Sequence, residues 1–292
     1  MSIKEFPPIQ DRIIKLECQK NSSEYKQFDC TDVFCHISPD NQELLTFLNE
    51  PLNVYLNCLQ DVSRWKNHVY QSNKSPIVDN DYQHTLGMLK ISHDLKKLNL
   101  NSINFNDVEL MILVHDGGEI VTDDISNNSG CSDNYLSKVK ALESKVFISC
   151  VLKSMKDKEH LTHRAKIGKL YKKYDNREQN KLDTDSHLVK FIDMLQGNYF
   201  GLKHVYSKKR LFGIFGEDNL SADPDEIMIK TIGKEFSQLE AVFKGINDSS
   251  DKEKLFNYFV DNYFDQYKNE EYGYQHLHQH FLGRKDEIFK TL

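Results

Sequence analysis

The sequence lacks the long apolar segment that a membrane-spanning helix requires. Its 292 residues are 39% hydrophobic and 28% charged, and they contain no run of about 18 apolar residues. The N-terminus, MSIKEFPPIQ, has no basic segment followed by an apolar stretch, which a secretory signal would need. These absences predict a cytoplasmic protein that is not held in a membrane.

Closely spaced cysteine pairs and an excess of positive charge are also missing. The six cysteines are scattered without a C-x-x-C pair, which favours reduced thiols over a disulfide framework or a zinc site. The net charge of −6 argues against a coat of nucleic acid, yet it leaves room for a local basic pocket that binds one phosphate. Neither G-x-x-x-x-G-K-[ST] nor G-x-S-x-G occurs, which excludes the usual P-loop NTPases and serine hydrolases.

Glycine and proline are scarce, with 13 and 6 residues respectively, and long helices are therefore compatible with most of the chain. No alternating run is long enough to predict a strand, so the sequence indicates an all-α fold. The length suits one large domain, or one core with extensions. Apolar residues at helical spacing predict helices over residues 84–99, 107–119, 133–156, 183–202, 224–245 and 252–268.

Three short segments carry residues of the types that bind metal ions. His84 begins a helix, His115-Asp116 ends the apolar run LMILV, and Asp193 lies within LVKFIDMLQ. Taken singly, each has an ordinary interpretation; for Asp193, the alternatives are exposure to solvent or an ion pair with Lys190 one turn earlier. Together they supply two imidazoles and two carboxylates, a mixed set that suits a divalent transition metal and leaves positions for water and a phosphate oxygen.

Gly117-Gly118 directly follows the His-Asp pair. Adjacent residues on a regular helix point about 100° apart, so both can face one metal only if the backbone bends there. We expect the two glycines to supply that freedom.

The order of one His, then His-Asp, then a distant Asp resembles the signature of the HD-domain metal-dependent phosphohydrolases, over about residues 60–203. The resemblance implies an HD-domain helical bundle core at 56–205. An N-terminal extension at 1–55 would pack on this core, and a C-terminal helical extension would occupy 206–292. It also implies one divalent ion (Mn, Co, Mg, Ni, Fe or Zn) with the ligands His84, His115, Asp116 and Asp193.

A finer resemblance is to the 5′-deoxynucleotidase-like branch. HDGGEIVTDDI is similar to its HD-x-x-E-x-x-x-x-D segment, and Arg64-Trp65 resembles its Arg-Trp pair. The implied substrate is a nucleotide, foremost a (deoxy)nucleoside 5′-monophosphate, or a similar small phosphate ester. Glu119 or Asp124 would orient the attacking water or protonate the leaving oxygen. Arg64 would bind the phosphate, and Trp65 would pack against the sugar or base. Lys138 or Lys140 would add positive charge, although a solvated helix face is the simpler interpretation of both lysines.

Two other functions remain open from the sequence. His160 and His163 in EHLTHR would become ligands if the protein were an HD-fold di-iron oxygenase, although a solvated basic stretch is the simpler interpretation. A nucleotide-binding or interaction module with a vestigial HD site is the other alternative. The resemblance also implies a homodimer. The alternating histidines of QHLHQH, at 275–280, are interpreted as surface residues.

Overall fold

The described part of the chain is all-α. The computed structural model describes residues 56, 58–65, 68–73, 76–122, 124, 133–148, 152 and 161–292. Within these residues no strand forms, and the one β-type pairing is an isolated antiparallel bridge between Ser63 and Asn80. The predicted fold class is confirmed.

The described α-helices are α1 (Asp81–Lys96), α2 (Phe105–Val114), α3 (Glu119–Thr122), α4 (Asp133–Val146), α5 (Leu161–Asp175), α6 (Thr184–Gly201), α7 (Lys208–Phe215), α8 (Pro224–Phe243), α9 (Ser249–Asn262) and α10 (Gln275–Lys290). Short helical turns link several of them, at Arg177–Gln179, Leu202–Tyr206, Glu217–Asn219 and Phe264–Lys268. Six of these helices lie where the apolar periodicity predicts them.

The observed helix ends reflect local chemistry. The carboxylate of Asp223 accepts a hydrogen bond from the backbone N–H of Asp225 at the start of α8, and Pro224 follows as the first helical residue. In contrast, α2 ends at Val114, well before the predicted residue 119. The chain turns there to form the candidate site described below.

Helix α6 is the centre of the bundle. It packs against α1, α2 and α5 on one side and most extensively against α8 on another. Helices α1 and α2 also pack on each other, as do α2 and α5. Side chains on α6 such as Leu188, Phe191 and Ile192 are fully buried. The mutual packing of α1, α2 and α6 brings together the three segments that carry the predicted ligands.

The C-terminal helices form a second layer on α6. Phe236 of α8 is fully buried and makes ring contacts with Phe259, Phe264 and Phe281. No helix in the described ranges is both long enough and apolar enough to span a bilayer. The boundaries at 55 and 205, the cytoplasmic location and the homodimer stay predictions, and residues 1–55 lie outside the described part of the chain.

One sequence interpretation in this layer holds for His276 and His280, which are exposed, but is wrong for His278. The histidines of QHLHQH lie on helix α10, so they point in different directions rather than all to solvent. His276 is exposed and lies 3.3 Å from Asp225, but His278 is buried. Its Nε2 lies 3.0 Å from Oδ1 of Asp265, and its ring stacks on Phe264 at 4.3 Å. His278 is therefore a core residue.

Candidate metal centre

Four predicted ligands come together where α1, α2 and α6 meet. His84 lies in the first turn of α1, His115 directly follows α2, Asp116 is the next residue, and Asp193 lies midway along α6. Nε2 of His84 is 3.1 Å from Oδ1 of Asp193 and 3.9 Å from Oδ2 of Asp116. Nε2 of His115 is 2.9 Å from Oδ2 of Asp116. We call this set of four residues the imidazole site.

Both histidines direct the same ring nitrogen into the imidazole site. Nδ1 of His115 lies 2.7 Å from the carbonyl oxygen of Ile112, and Nδ1 of His84 contacts Oε1 of Gln196. Each oxygen can only accept, so each Nδ1 carries the proton and donates it. Nε2 of each ring therefore faces a carboxylate of the imidazole site, Asp193 for His84 and Asp116 for His115. An imidazole held by its other nitrogen in this way is the usual arrangement of a metal-binding histidine.

A divalent cation fits the imidazole site. Ligand atoms of His84, His115 and Asp193 all lie within 4.8 Å of one another, and two atoms on opposite sides of a bound ion are about 4–5 Å apart. Nε2 of His115 is buried and has no hydrogen-bond partner in the described residues, despite its closeness to Asp116. A buried imidazole nitrogen without a hydrogen-bond partner is a group that a metal ion would complete.

The two carboxylates of the imidazole site are held ionised. Burial opposes the charge of Asp116, but His115, Arg64 and His84 outweigh it and lower the pKa well below the ordinary value. Burial likewise opposes ionisation of Asp193, whereas Lys190 and His84 hold its pKa well below that range. Nζ of Lys190 is 2.6 Å from Oδ2 of Asp193. The lysine pairing that seemed an alternative to metal binding thus occurs together with the histidine contact, on the other carboxylate oxygen.

Gly118, the second glycine after the His-Asp pair, has a different role from the predicted one. His115 keeps helical dihedrals, and positive φ among the described glycines occurs only at Gly216 and Gly273. A Cβ on Gly118, however, would lie 2.4 Å from Cβ and 2.6 Å from Cα of Glu143 on α4. Gly118 is therefore required because α4 approaches its backbone, and the expected need for conformational freedom is corrected.

Arg64 reaches the site because its loop folds back on the start of α1. The backbone N–H of Arg64 donates to the carbonyl of Asp79 at 3.0 Å, and that of Asp81 donates to the carbonyl of Val62 at 3.1 Å. Nη1 of Arg64 then lies 3.3 Å from both Oδ1 of Asp81 and Oδ2 of Asp116. The long gap in sequence between the Arg-Trp pair and His84 is closed by these contacts.

Trp65 is placed differently from its predicted role. The residue is 9% exposed, and its ring stacks on Phe200 at 5.9 Å and meets His68 and Tyr206 edge to face. Nε1 of Trp65 donates to Asp79 at 3.3 Å. Its backbone is in the left-handed region at φ 64°, which is unusual for a bulky residue and fixes the loop beside Arg64. Trp65 thus supports this loop and shows little ring surface to a ligand.

Glu119 and Asp124 both lie beside the imidazole site. Glu119 begins α3 and is 7% exposed, and burial together with Asp116 and Asp81 raises its pKa well above the ordinary value. Burial also raises the pKa of Asp124, although Arg64 and a hydrogen bond from the backbone of Trp65 oppose that shift. Both residues are close enough to the imidazole site to interact electrostatically with Asp116.

Lys138, in contrast, does not face the imidazole site. Lys138 is exposed on α4, and its neighbour Lys140 pairs with Glu143 at 3.3 Å. His160 and the side chain of His163 lie outside the described residues. Two residues that sequence reasoning missed belong to the site: Asp81, the first residue of α1, and Gln196, which holds His84. Asp81 follows the helix-capping Asn80, and that position is easily interpreted as an exposed first-turn acid.

Comparisons with known proteins do not assign a family. Protein-family models, curated proteins and solved structures all gave no match to this chain. The resemblance to HD-domain phosphohydrolases therefore stays a prediction from the motif. What the structure adds is a group of buried histidines and carboxylates with the spacing of a metal site.

Proposed function

We propose that the protein is a divalent-metal-dependent phosphohydrolase of the HD-domain type, which removes phosphate from a nucleotide, foremost a (deoxy)nucleoside 5′-monophosphate, or from a similar small phosphate ester. One observation carries the proposal. Two buried imidazoles, each with Nε2 directed towards a carboxylate, converge with Asp116 and Asp193, and the guanidinium of Arg64 lies 3.3 Å from Asp116. Candidate metal ligands and a side chain suited to binding an anion thus share one site.

His84, His115, Asp116 and Asp193 would hold the metal ion. A divalent ion at such a site lowers the pKa of water and neutralises charge that develops on a phosphoryl group. Gln196 and the carbonyl of Ile112 keep the two imidazoles in the tautomer that can act as ligands. Lys190 keeps Asp193 ionised, which favours the same role.

Arg64, Glu119 and Asp124 would act on the substrate. Hydrolysis adds the oxygen of water to phosphorus, breaks the bond from phosphorus to the ester oxygen, and moves one proton from the water to that oxygen. Glu119 or Asp124 would accept the proton from the water and return it to the leaving oxygen. Arg64 can present two parallel N–H groups to the phosphate, provided that the substrate displaces part of its contact with the carboxylates.

Substitution of Asp116, whose carboxylate lies near His84, His115 and Arg64, tests the proposed function. The purified full-length chain is assayed for phosphate release from nucleoside mono-, di- and triphosphates with Mn²⁺, Co²⁺ or Mg²⁺. Asp116→Ala is expected to lower activity by about 100-fold or more and to lose bound metal, because a ligand outweighs the 10–100-fold effect typical of its supporting residues. Metal content is measured directly alongside the assay.

A matched control is available on the exposed face of α1. Within the described ranges, the carboxylate of Asp94 pairs with Lys97 alone, at the surface and at 2.7 Å, so Asp94→Ala should keep full activity and full metal content. Undiminished phosphate release by Asp116→Ala would overturn the proposed site. Release from none of the nucleotides by a metal-loaded wild-type protein would overturn the proposed reaction.

A further inference from the structure

Three carboxylates from separate segments meet beside the imidazole site. They belong to Asp81 at the start of α1, Asp116 in the turn after α2, and Glu119 at the start of α3. One oxygen of each lies within 4.8 Å of the others. Metal–oxygen distances of about 2.0–2.6 Å place opposite ligands about 4–5 Å apart, so one cation can reach all three. We call these three residues the carboxylate site.

Two oxygens in the carboxylate site have no donor. Asp81 is fully buried and Glu119 is 7% exposed. Oδ2 of Asp81 and Oε2 of Glu119 are both buried without a hydrogen-bond partner among the described residues. A buried carboxylate oxygen in this condition is costly, because it has lost water and gained nothing in return. A cation between the two side chains would remove that cost.

The positive charge at hand in the described residues is already shared among several acids. Nη1 of Arg64 contacts both Asp81 and Asp116 at 3.3 Å, and its Nε lies 3.8 Å from Asp79. Lys190 is committed to Asp193. Glu119 thus lies among acids without a cationic partner at contact distance in the described residues. Such a surplus of negative charge would repel a phosphate ester.

We propose that the carboxylate site binds a second divalent cation, with Asp116 shared between it and the ion of the imidazole site. The inference rests on the proposed function in that the imidazole site is taken to hold the first ion. The ligands of the carboxylate site are oxygens alone, a hard set that Mg²⁺ or Mn²⁺ prefers. The imidazole site, with two nitrogen ligands, prefers a later transition metal. The two sites should therefore differ in metal preference.

A shared proton is the competing explanation. Burial and the charge of Asp116 raise the pKa of both Asp81 and Glu119. One proton held between these two side chains would satisfy an oxygen on each without any cation. The protein would then bind a single ion, at the imidazole site alone. Counting ions therefore separates the two explanations.

The experiment counts Mn²⁺ ions bound to the full-length protein. Calorimetric titration gives the stoichiometry, and electron paramagnetic resonance reports whether two ions interact, as expected at a separation of about 3.5–4 Å. The wild type should bind two interacting ions. Asp81→Asn should bind one, at the imidazole site, and His84→Ala should bind one, at the carboxylate site. Asp94→Asn, on the exposed face of α1, should still bind two.

Several results would overturn the inference: a single ion in the wild type, two ions in Asp81→Asn, or two ions without magnetic interaction. Glu119→Gln provides a second variant, which removes the carboxylate site from its other side if Asp81→Asn fails to fold by circular dichroism. Excess Mg²⁺ should displace one Mn²⁺ from the wild type and none from Asp81→Asn.

The same samples distinguish this inference from the proposed function. Two interacting ions in a protein that releases no phosphate from any nucleotide would support the second site and overturn the hydrolase. Metal-dependent hydrolysis with one bound ion would support the hydrolase and overturn the second site.

Discussion

Glu119 and Glu235 are both buried glutamates, yet their surroundings differ in kind. Glu235 on α8 accepts a hydrogen bond from Nδ2 of Asn198 at 2.8 Å and from the hydroxyl of Tyr267 at 3.4 Å. Glu119 instead lies among acids, with Asp81 and Asp116 close to it, and one of its oxygens has no donor in the described residues. Neutral donors within the fold satisfy the oxygens of one buried carboxylate. A buried carboxylate among other acids lacks a positive charge that would balance its own.

The pKa shifts of the two residues express the same difference. Burial raises the pKa of Glu235 to about 8, against hydrogen bonds from Asn198 and Tyr267 that favour its charge. Burial raises the pKa of Glu119 as well, but neighbouring carboxylates add to the effect. A bound cation would reverse the shift of Glu119 and leave that of Glu235 unchanged, so the two glutamates can be separated by experiment.

The largest expected effect in this comparison is on stability, with Glu235→Gln. The pKa of Glu235 rises from 4.5 when unfolded to about 8 when folded, so the wild type loses stability as pH rises through this window. The neutral variant avoids that loss. Its free energy of unfolding should exceed that of the wild type by roughly 3–5 kcal/mol at about pH 9 and by much less at about pH 5. Urea titrations at both pH values measure it.

Metal content tests whether Glu235, unlike Glu119, has no part in cation binding. Glu235→Gln should bind Mn²⁺ with the affinity and stoichiometry of the wild type, because Glu235 contacts neither candidate site. A lost ion in this variant would break the distinction between the two glutamates. Equal stabilities of variant and wild type at about pH 9 would show that Glu235 is already ionised without cost.

A smaller effect is expected from Gln196→Leu. The substitution roughly preserves side-chain volume but removes the oxygen that accepts from Nδ1 of His84. Affinity for Mn²⁺ at the imidazole site should fall about 10–100-fold, as for other residues that orient a metal-binding histidine. Gln238→Leu is the matched control. Gln238, like Gln196, contacts a histidine: its Nε2 lies 3.0 Å from Nδ1 of His187 on α6. His187 belongs to neither candidate metal site. Equal Mn²⁺ affinities in the two variants would contradict the role of Gln196.

The smallest expected effect concerns the packing behind the site, with Gly118→Ala. The new methyl group would meet the backbone of Glu143, and the free energy of unfolding should fall by about 1–3 kcal/mol. Gly233 lies within α8, where an added Cβ would have no atom of the described residues within 4 Å. Gly233→Ala should therefore raise stability by about 0.5–1 kcal/mol. Chemical denaturation measures the free energy of unfolding of both variants. A gain in stability for Gly118→Ala would contradict the close approach of α4.

Residues with a periodic or motif signal could be predicted from the sequence. Helices α6 and α8 are seen in the apolar periodicity, because each buries a continuous face. His84, His115, Asp116 and Asp193 could be picked out together, because their types and order form a pattern. That these four residues meet is a property of how α1, α2 and α6 pack, and the sequence only suggested it through resemblance.

Residues that act through long-range contacts could not be predicted. Asp81 joins the site only because the loop at 62–65 folds back on the start of α1. Gln196 becomes important only because α1 crosses α6 at that level. Trp65 was expected to contact substrate, but its aromatic neighbours come from α6 and the turn after it. None of these contacts leaves a local trace in the sequence, since each depends on tertiary packing.

Both ring nitrogens of His84 contact side chains of α6. Asp193 meets one ring nitrogen and Gln196, three residues later on α6, meets the other. A slide of α1 along α6, or a local opening of α6 at this level, would release both nitrogens at once. Metal binding would thus favour one register between the two helices. Amide hydrogen exchange in the middle of α6 should slow when metal is added, so a signal from this central helix would report occupancy of the site.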